Sequence, residues 1–174
     1  YAGLNILGYI AKHNGLLPKK SVKGKHVFIT GAGTGIGRLM AIKFAELGAK
    51  VSIVGISLEP CKQVEKEILE KGHAAIAIQC DVSNVESVKA AAKKAVDTFG
   101  DVTILINNAG IVTGKKLLDN DEKMIEKTMI VNAVSHAYTV KQFLPRMLER
   151  NEGHIFTISS NAGLIGVTGL ADYS

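Results

Sequence analysis

The sequence predicts an α/β fold: a doubly wound parallel sheet of the Rossmann-like kind, with helices on both faces. Short apolar or β-branched runs alternate with segments whose apolar residues recur every three or four positions. The connections between runs are long enough to cross over, which makes neighbouring strands parallel. We expect this sheet to be incomplete at its C-terminal side.

Five runs are predicted to be strands, because each is short and mostly apolar, as strands covered on both faces should be. In chain order they are His26–Thr30, Lys50–Val54, Ala74–Cys80, Val102–Ile106 and His154–Ser159. The fifth strand would leave an open apolar edge.

Helices are predicted between the strands, most clearly over residues 58–71 and 84–99. Their recurring apolar residues are Cys61, Val64 and Ile68 in the first segment, and Val85, Val88, Ala92, Ala95 and Phe99 in the second. Gly48, Gly72 and Gly100 follow predicted helix ends, where glycine most easily adopts a left-handed conformation.

The composition excludes several classes of protein. Hydrophobic residues make up 47% and charged residues 21% of the chain, so it can bury a core and is not mainly disordered. Two cysteines form neither a disulfide framework nor a zinc site on their own, and the five histidines have no metal-ligand spacing. No metal site is therefore predicted.

The net charge of +5 is concentrated at the N-terminal end. Residues 1–45 contain seven Lys or Arg and no Asp or Glu, whereas the remaining residues carry 14 bases and 16 acids. This distribution disfavours nucleic acid as a partner, because a nucleic-acid-binding domain spreads its bases over one face. A basic stretch beside an apolar one favours an anionic membrane surface instead.

Residues 1–24 are expected to form an arm that precedes a dinucleotide-binding domain at 25–174. The apolar residues of the arm lie upstream of its lysines, as in the end of a membrane-inserted segment or an interfacial helix. The alternative is an arm that packs on its own domain or on a partner protein.

A glycine-rich string, TGAGTGIG at 30–37, follows the first strand and opens a helix, which is the context that a dinucleotide site requires. Gly31 permits a tight turn, Gly35 lets backbone N–H groups approach a pyrophosphate, and Gly37 lets the helix pack close to the strand. The positive end of the helix faces the phosphates. The predicted cofactor contacts here are Gly31, Thr34, Gly35, Ile36 and Gly37.

Two further motifs follow strand ends. NNAG at 107–110 follows the fourth strand, at the sheet edge where parallel α/β sheets bind ligands. Ser159 and Ser160 end the fifth strand, and Tyr173 comes thirteen residues after Ser160. A tyrosine hydroxyl has a solution pKa of about 10, so acid–base work near neutrality needs a cation close by.

Together these motifs resemble the short-chain dehydrogenase/reductase family over residues 25–174. The stretches IVTGKKLLD at 111–119, GLADYS at 169–174 and residues 16–39 narrow the resemblance. They resemble the membrane-associated subfamily of epidermal retinol dehydrogenases and lipid-droplet 17β-hydroxysteroid dehydrogenases. Those relatives carry an apolar N-terminal anchor followed by a basic stretch.

The resemblance implies a role for each matching residue. Tyr173 would be the general acid/base, Ser160 would orient the substrate oxygen, and Asn132 would hold a proton-relay water. Asp81 would contact the adenine amino group. The remaining implied cofactor contacts are Val82, Gly55, Asn108, Ala109 and Gly110.

Two features depart from the family pattern. Many NAD-using members place an acid at the end of the second strand, but this sequence has Gly55 there and no base beside it, so NAD and NADP both remain open. The family's lysine, four residues after the tyrosine, would fall three residues beyond Ser174. We therefore expect the sequence to be a fragment, cut at both ends.

The complete protein is predicted to transfer a hydride between NAD or NADP and an alcohol or carbonyl of a lipophilic retinoid or steroid. The alternative is a catalytically inactive dehydrogenase-like subunit with a structural role in a larger assembly. The expected partners are copies of itself and a membrane or lipid-droplet surface. The expected location is the cytoplasmic face of the endoplasmic reticulum membrane or a lipid droplet, the alternatives being an organellar assembly or the cytoplasm.

Overall fold

The structure is a computed structural model that describes residues 20–173. Its strands are β1 His26–Thr30, β2 Lys50–Gly55, β3 Ala74–Gln79, β4 Ile104–Asn107 and β5 His154–Thr157. Its helices are α1 Gly35–Glu46, α2 Leu58–Glu70, α3 Val85–Phe99, α4 Glu122–Met129 and α5 Ser135–Glu149. All five predicted strands are confirmed, with ends that shift by at most two residues.

The strands form one parallel sheet in the order β3-β2-β1-β4-β5, which confirms the predicted Rossmann-like class. The chain runs outward from β1 to β3 and then returns to place β4 on the other side of β1. The carboxyl ends of β1 and β4 therefore meet at the point where the strand order reverses. A crevice forms at such a point, and in open α/β sheets it is where ligands bind.

Apolar side chains alternate between the two faces of the sheet, as buried strands require. On one face, Val27 and Ile29 of β1 lie in a core cluster with Ala41 of α1 and Val64 of α2. On the other face, Phe28 packs in a second cluster that includes residues of α3 and α5. The two helical layers thus bury both faces of the central strands.

Within the described residues β5 is an edge strand, as predicted, and its apolar side chains remain accessible. Ile155 and Phe156 are 39% and 51% exposed, whereas every residue of β1 is buried. Among residues 20–173, no helix has the length and apolar character needed to cross a membrane. The predicted N-terminal arm lies almost entirely outside the described residues.

Candidate active site

The glycine-rich loop after β1 is tied to the NNAG segment after β4. The Thr30 hydroxyl accepts hydrogen bonds from the backbone N–H groups of Asn108 and Ala109, each at 3.0 Å. In return, the Asn108 side-chain amide donates to the carbonyl oxygens of Thr30 and Gly31, at 3.0 and 3.2 Å. The Asn108 side chain therefore holds the loop in shape, although the residue also lines the cleft at this edge.

The three glycines predicted to matter in this loop differ in what surrounds them. A Cβ on Gly37 would lie 2.2 Å from the Gly31 carbonyl oxygen, and one on Gly31 would lie 2.9 Å from the Cα of Ala109. These two glycines permit close backbone packing, as expected for Gly37. Gly35 has a φ of +54°, and a Cβ there would meet nothing within 4 Å.

The start of α1 fits a pyrophosphate. Thr34, the residue before the helix, makes no side-chain capping bond, and Thr34, Gly35 and Ile36 are all exposed. The first N–H groups of a helix carry partial positive charge and lack intrahelical partners. Open space above Gly35 leaves those groups accessible to an anionic ligand.

A second, smaller cleft of about 210 Å³ brings together Gly31, Gly55, Asp81 and Val82. The Asp81 carboxylate accepts bonds from the Ser83 hydroxyl at 2.6 Å and the Ser83 N–H at 2.9 Å. The hydrogen bond from the Ser83 side chain is the main cause that lowers the pKa of Asp81, so the group is ionised near neutrality. Its predicted adenine contact would involve a carboxylate already held in place.

Gly55 has a packing reason that the sequence did not reveal. A Cβ at this position would lie 2.8 Å from the Cys61 sulfur, which belongs to the first turn of α2. Cys61 is fully buried, and burial raises the pKa of its thiol, so it is an uncharged packing group. An acidic side chain at the end of β2 would therefore overlap the Cys61 sulfur unless the cysteine moved or was replaced.

A larger cleft, of about 510 Å³, contains all three predicted catalytic side chains, Asn132, Ser160 and Tyr173. It also contains Ile36, Asn108, Ala109 and Gly110 from the predicted cofactor site. The Ser160 hydroxyl oxygen accepts a bond from the Ala162 N–H at 3.1 Å, which fixes the start of a short 3₁₀ turn.

Asn132 lies in a π-helical turn, Ile130–Val134, between α4 and α5. Its Nδ2 donates to the Ile111 carbonyl oxygen at 2.8 Å, and its Oδ1 accepts from the Ile111 N–H at 2.9 Å. Both ends of the amide thus hold the loop that follows NNAG. Single π-helical turns within helices often occur at functional sites.

Three polar residues near these clefts were not predicted from the sequence. His136 lines the large cleft, and burial lowers its pKa. Lys127 lines the small cleft, where its charge helps to lower the pKa of Asp81. Asp172 is buried beside Tyr173. For His136 the available signal was its position four residues after Asn132, on the same face of the helix.

A family model described as short chain dehydrogenase matches residues 25–174. The chain belongs to the short-chain dehydrogenase family. The predicted family is thereby confirmed.

Proteins similar to this short-chain dehydrogenase include retinol and steroid dehydrogenases. Epidermal retinol dehydrogenase 2 of Homo sapiens is 48% identical over 157 residues, which cover 90% of this chain and 51% of that protein. Estradiol 17-beta-dehydrogenase 11 of Pongo abelii is 42% identical over 155 residues, covering 89% and 52%. The chain spans about half the length of the curated relatives it matches.

Two solved structures share the fold. A metagenomic short-chain oxidoreductase in complex with NADP has a TM-score of 0.83 and 32% identity, covering 88% of this chain and 70% of that one. A 7α-hydroxysteroid dehydrogenase complexed with NADH and 7-oxo glycochenodeoxycholic acid has a TM-score of 0.84 and 33% identity, covering 87% and 59%.

Proposed function

We propose that the complete protein is an NAD(P)-dependent oxidoreductase acting on an alcohol or carbonyl group. The observation that carries the proposal is the single cleft of about 510 Å³ shared by Asn132, Ser160, Tyr173 and the NNAG residues. In that cleft the Tyr173 and Ser160 side chains, the proposed proton donor and the proposed ligand of the substrate oxygen, lie beside the loops proposed to bind a dinucleotide. The NADP and NADH of the two similar structures support either nicotinamide cofactor.

Most of the site residues would bind the cofactor or the substrate, and Tyr173 would transfer the proton. The start of α1 and Gly35 would hold the pyrophosphate, and Asp81 would bind the adenine amino group. The Ser160 hydroxyl would bind the substrate oxygen, while the Tyr173 hydroxyl would give a proton to it or take one away. When bound, the nicotinamide supplies the hydride chemistry.

The walls of the large cleft favour a lipophilic substrate. Ile36, Val112 and Ile158 line it with exposed apolar side chains. Among the similar proteins are a retinol dehydrogenase and an estradiol dehydrogenase. We therefore propose a retinoid or a steroid as the substrate class. No contact among the described residues favours the inactive-subunit hypothesis.

Association with an anionic lipid surface is a further part of the proposal, and it rests on the charge pattern of the N-terminal arm. The arm's lysines follow an apolar stretch, and each base near such a surface adds roughly 1 kcal/mol of attraction. The same pattern supports a location at the endoplasmic reticulum membrane or a lipid droplet. Self-association of the complete protein is proposed by analogy with the family.

The test uses the full-length protein with all-trans retinol and estradiol as substrates and NAD or NADP as oxidant. Formation of reduced nicotinamide is followed by absorbance. We expect turnover by the wild type and a loss on the order of 10²–10⁴-fold in Tyr173→Phe, because a positioned proton donor is removed. Tyr138→Phe is the matched control, since Tyr138 lies on α5 and is not among the residues of the cleft. Equal turnover by Tyr173→Phe and wild type would disprove the assigned role.

A further inference from the structure

The described segment that leads to Tyr173 contains one short 3₁₀ turn and no helix or strand. Residues 161–173 form a short 3₁₀ turn, bends and turns, and several apolar side chains in it are exposed, with Leu164 85% accessible. Asp172 is the single buried residue of this segment, at 9% exposure. A buried carboxylate in an otherwise exposed segment requires hydrogen-bond partners from elsewhere in the fold.

Two threonine hydroxyls from separate elements surround the Asp172 carboxylate. The Thr113 hydroxyl lies 3.0 and 2.9 Å from its two oxygens, so that one proton is shared between them. The Thr128 hydroxyl of α4 lies 3.1 Å from Oδ2 and 2.9 Å from the Met124 carbonyl oxygen, so its proton is shared between the two acceptors. The Asn120 amide donates to the Thr113 oxygen at 3.0 Å, which leaves the Thr113 proton directed at Asp172.

The carboxylate is held in its charged form. Burial acts to raise the pKa of Asp172, but the hydrogen bonds to its carboxylate, chiefly those from the Thr113 and Thr128 hydroxyls, together lower the pKa below its ordinary value. Hydrogen bonds to a charged acceptor are stronger than those between neutral groups. The cluster is therefore a firm attachment near neutral pH.

The partners of Asp172 are the same elements that hold Asn132. Thr113 lies two residues after Ile111, whose backbone binds both ends of the Asn132 amide. Thr128 lies one helical turn before Asn132. Asp172, which directly precedes Tyr173, is therefore hydrogen-bonded to the loop and the helix that lie on either side of Asn132.

We propose that Asp172 is a positioning residue, which sets Tyr173 against Asn132 and Ser160 by binding Thr113 and Thr128. The inference rests on the proposed oxidoreductase function, because it assigns Tyr173 to proton transfer. Misplacing a reacting group by about 1 Å can cost on the order of 10²-fold in rate. A residue that only stabilised the fold would change the melting temperature without changing kcat for the folded enzyme.

The experiment compares full-length wild type with Asp172→Ala, Thr113→Val and Thr113→Ser. We expect Asp172→Ala to lower kcat by about 10–100-fold, with the Kd for the reduced cofactor unchanged within about twofold. Thr113→Val keeps the shape but removes the hydroxyl, and we expect about a 10-fold loss, which Thr113→Ser restores. Asp97→Ala, on the exposed face of α3, is the matched control for loss of an acid.

Coupling between the two positions gives the sharper result. In the double variant Asp172→Ala/Thr113→Val we expect no further loss beyond Asp172→Ala alone, because both changes remove one interaction. Independent, multiplying losses would overturn the proposal, as would a wild-type kcat in Asp172→Ala. If Asp172→Ala does not fold, the Thr113→Val and Thr113→Ser pair still decides the question.

Amide hydrogen exchange makes the anchoring testable without turnover. We expect Asp172→Ala to speed exchange in residues 164–173 and 111–114 but not in α3. Unchanged exchange in those segments would overturn the anchoring. A wild-type protein without turnover on any alcohol would overturn the proposed function instead, and the exchange result would still decide whether Asp172 fixes the tyrosine segment.

Discussion

Replacing Gly37 by alanine tests the closest backbone contact in the candidate cofactor site. The new Cβ would lie 2.2 Å from the Gly31 carbonyl oxygen and 2.7 Å from the Asn108 Nδ2. Ordinary contacts begin at 3.4 Å, so α1 would have to retreat from the loop by the difference between 3.4 and 2.2 Å, about 1.2 Å. A backbone oxygen cannot avoid the overlap by changing rotamer.

The size of the effect follows from the contacts that such a retreat disturbs. Overpacking a tight site costs about 1–3 kcal/mol. The two bonds from Asn108 to Thr30 and Gly31 would also weaken, at about 1 kcal/mol each. We therefore expect a loss of roughly 3–5 kcal/mol, a large part of the roughly 5–15 kcal/mol that stabilises a domain, and a fall of about 10 °C in melting temperature.

The assay combines thermal denaturation followed by circular dichroism with calorimetric titration of NADH and NADPH into the full-length protein. We expect affinity for the dinucleotide to fall at least about tenfold, since the start of α1 moves away from the loop. Gly72→Ala is the control, because Gly72 has a φ of +78° with no atom near its Cβ position. It should cost only about 1 kcal/mol of backbone strain and leave cofactor binding unchanged. Wild-type stability and affinity in Gly37→Ala would refute the reasoning.

Three further outcomes are expected. Gly55→Asp should destabilise the protein, because its Cβ would lie 2.8 Å from the Cys61 sulfur. The double variant Gly55→Asp/Cys61→Ala should fold, and its affinity for NADPH should fall relative to its affinity for NADH. Equal melting temperatures for the single and the double variant would show that the Cys61 sulfur does not cause the destabilisation. His26 is buried, and burial lowers its pKa, so the folded state favours the neutral ring. The free energy of unfolding should therefore be highest above pH 6.5 and decrease as the pH falls below that value, because the unfolded state then binds the proton more readily. Urea unfolding at pH 7.5 and pH 5.5, compared with a His26→Gln variant, measures this loss, and an equal pH dependence in both proteins would exclude His26 as its source. The full-length protein should float with anionic liposomes and lose that association without residues 1–20; distribution unaffected by the deletion would end the lipid-surface proposal.

The sequence alone determined the features that depend on neighbouring residues. The strands could be predicted because each is a short buried run, and the glycine string because it links a strand to a helix. Asn132, Ser160 and Tyr173 could be predicted as site residues because the motifs of the resembled family are local, and the structure brings the three into one cleft. The predicted strand ends differ from the observed ones by at most two residues. β4 begins at Ile104 because its pairing with β1 starts there, opposite Val27. β5 ends at Thr157 because its partner β4 ends opposite it, at Asn107.

The tertiary structure decided what each of these residues touches. The family resemblance implied a relay water at Asn132 and a cofactor contact at Asn108, and those roles stay predictions. The structure adds that both side-chain amides bind backbone groups, which lie 21 and 77 or 78 residues away. Asp172 carried no signal at all, since its partner Thr113 is 59 residues distant. Gly55 was predicted as a cofactor contact and lines the small cleft, and the structure adds a packing reason for glycine there, because the Cys61 sulfur lies beneath it. Contacts of this kind depend on which loops the sheet order brings together, and no local pattern records them.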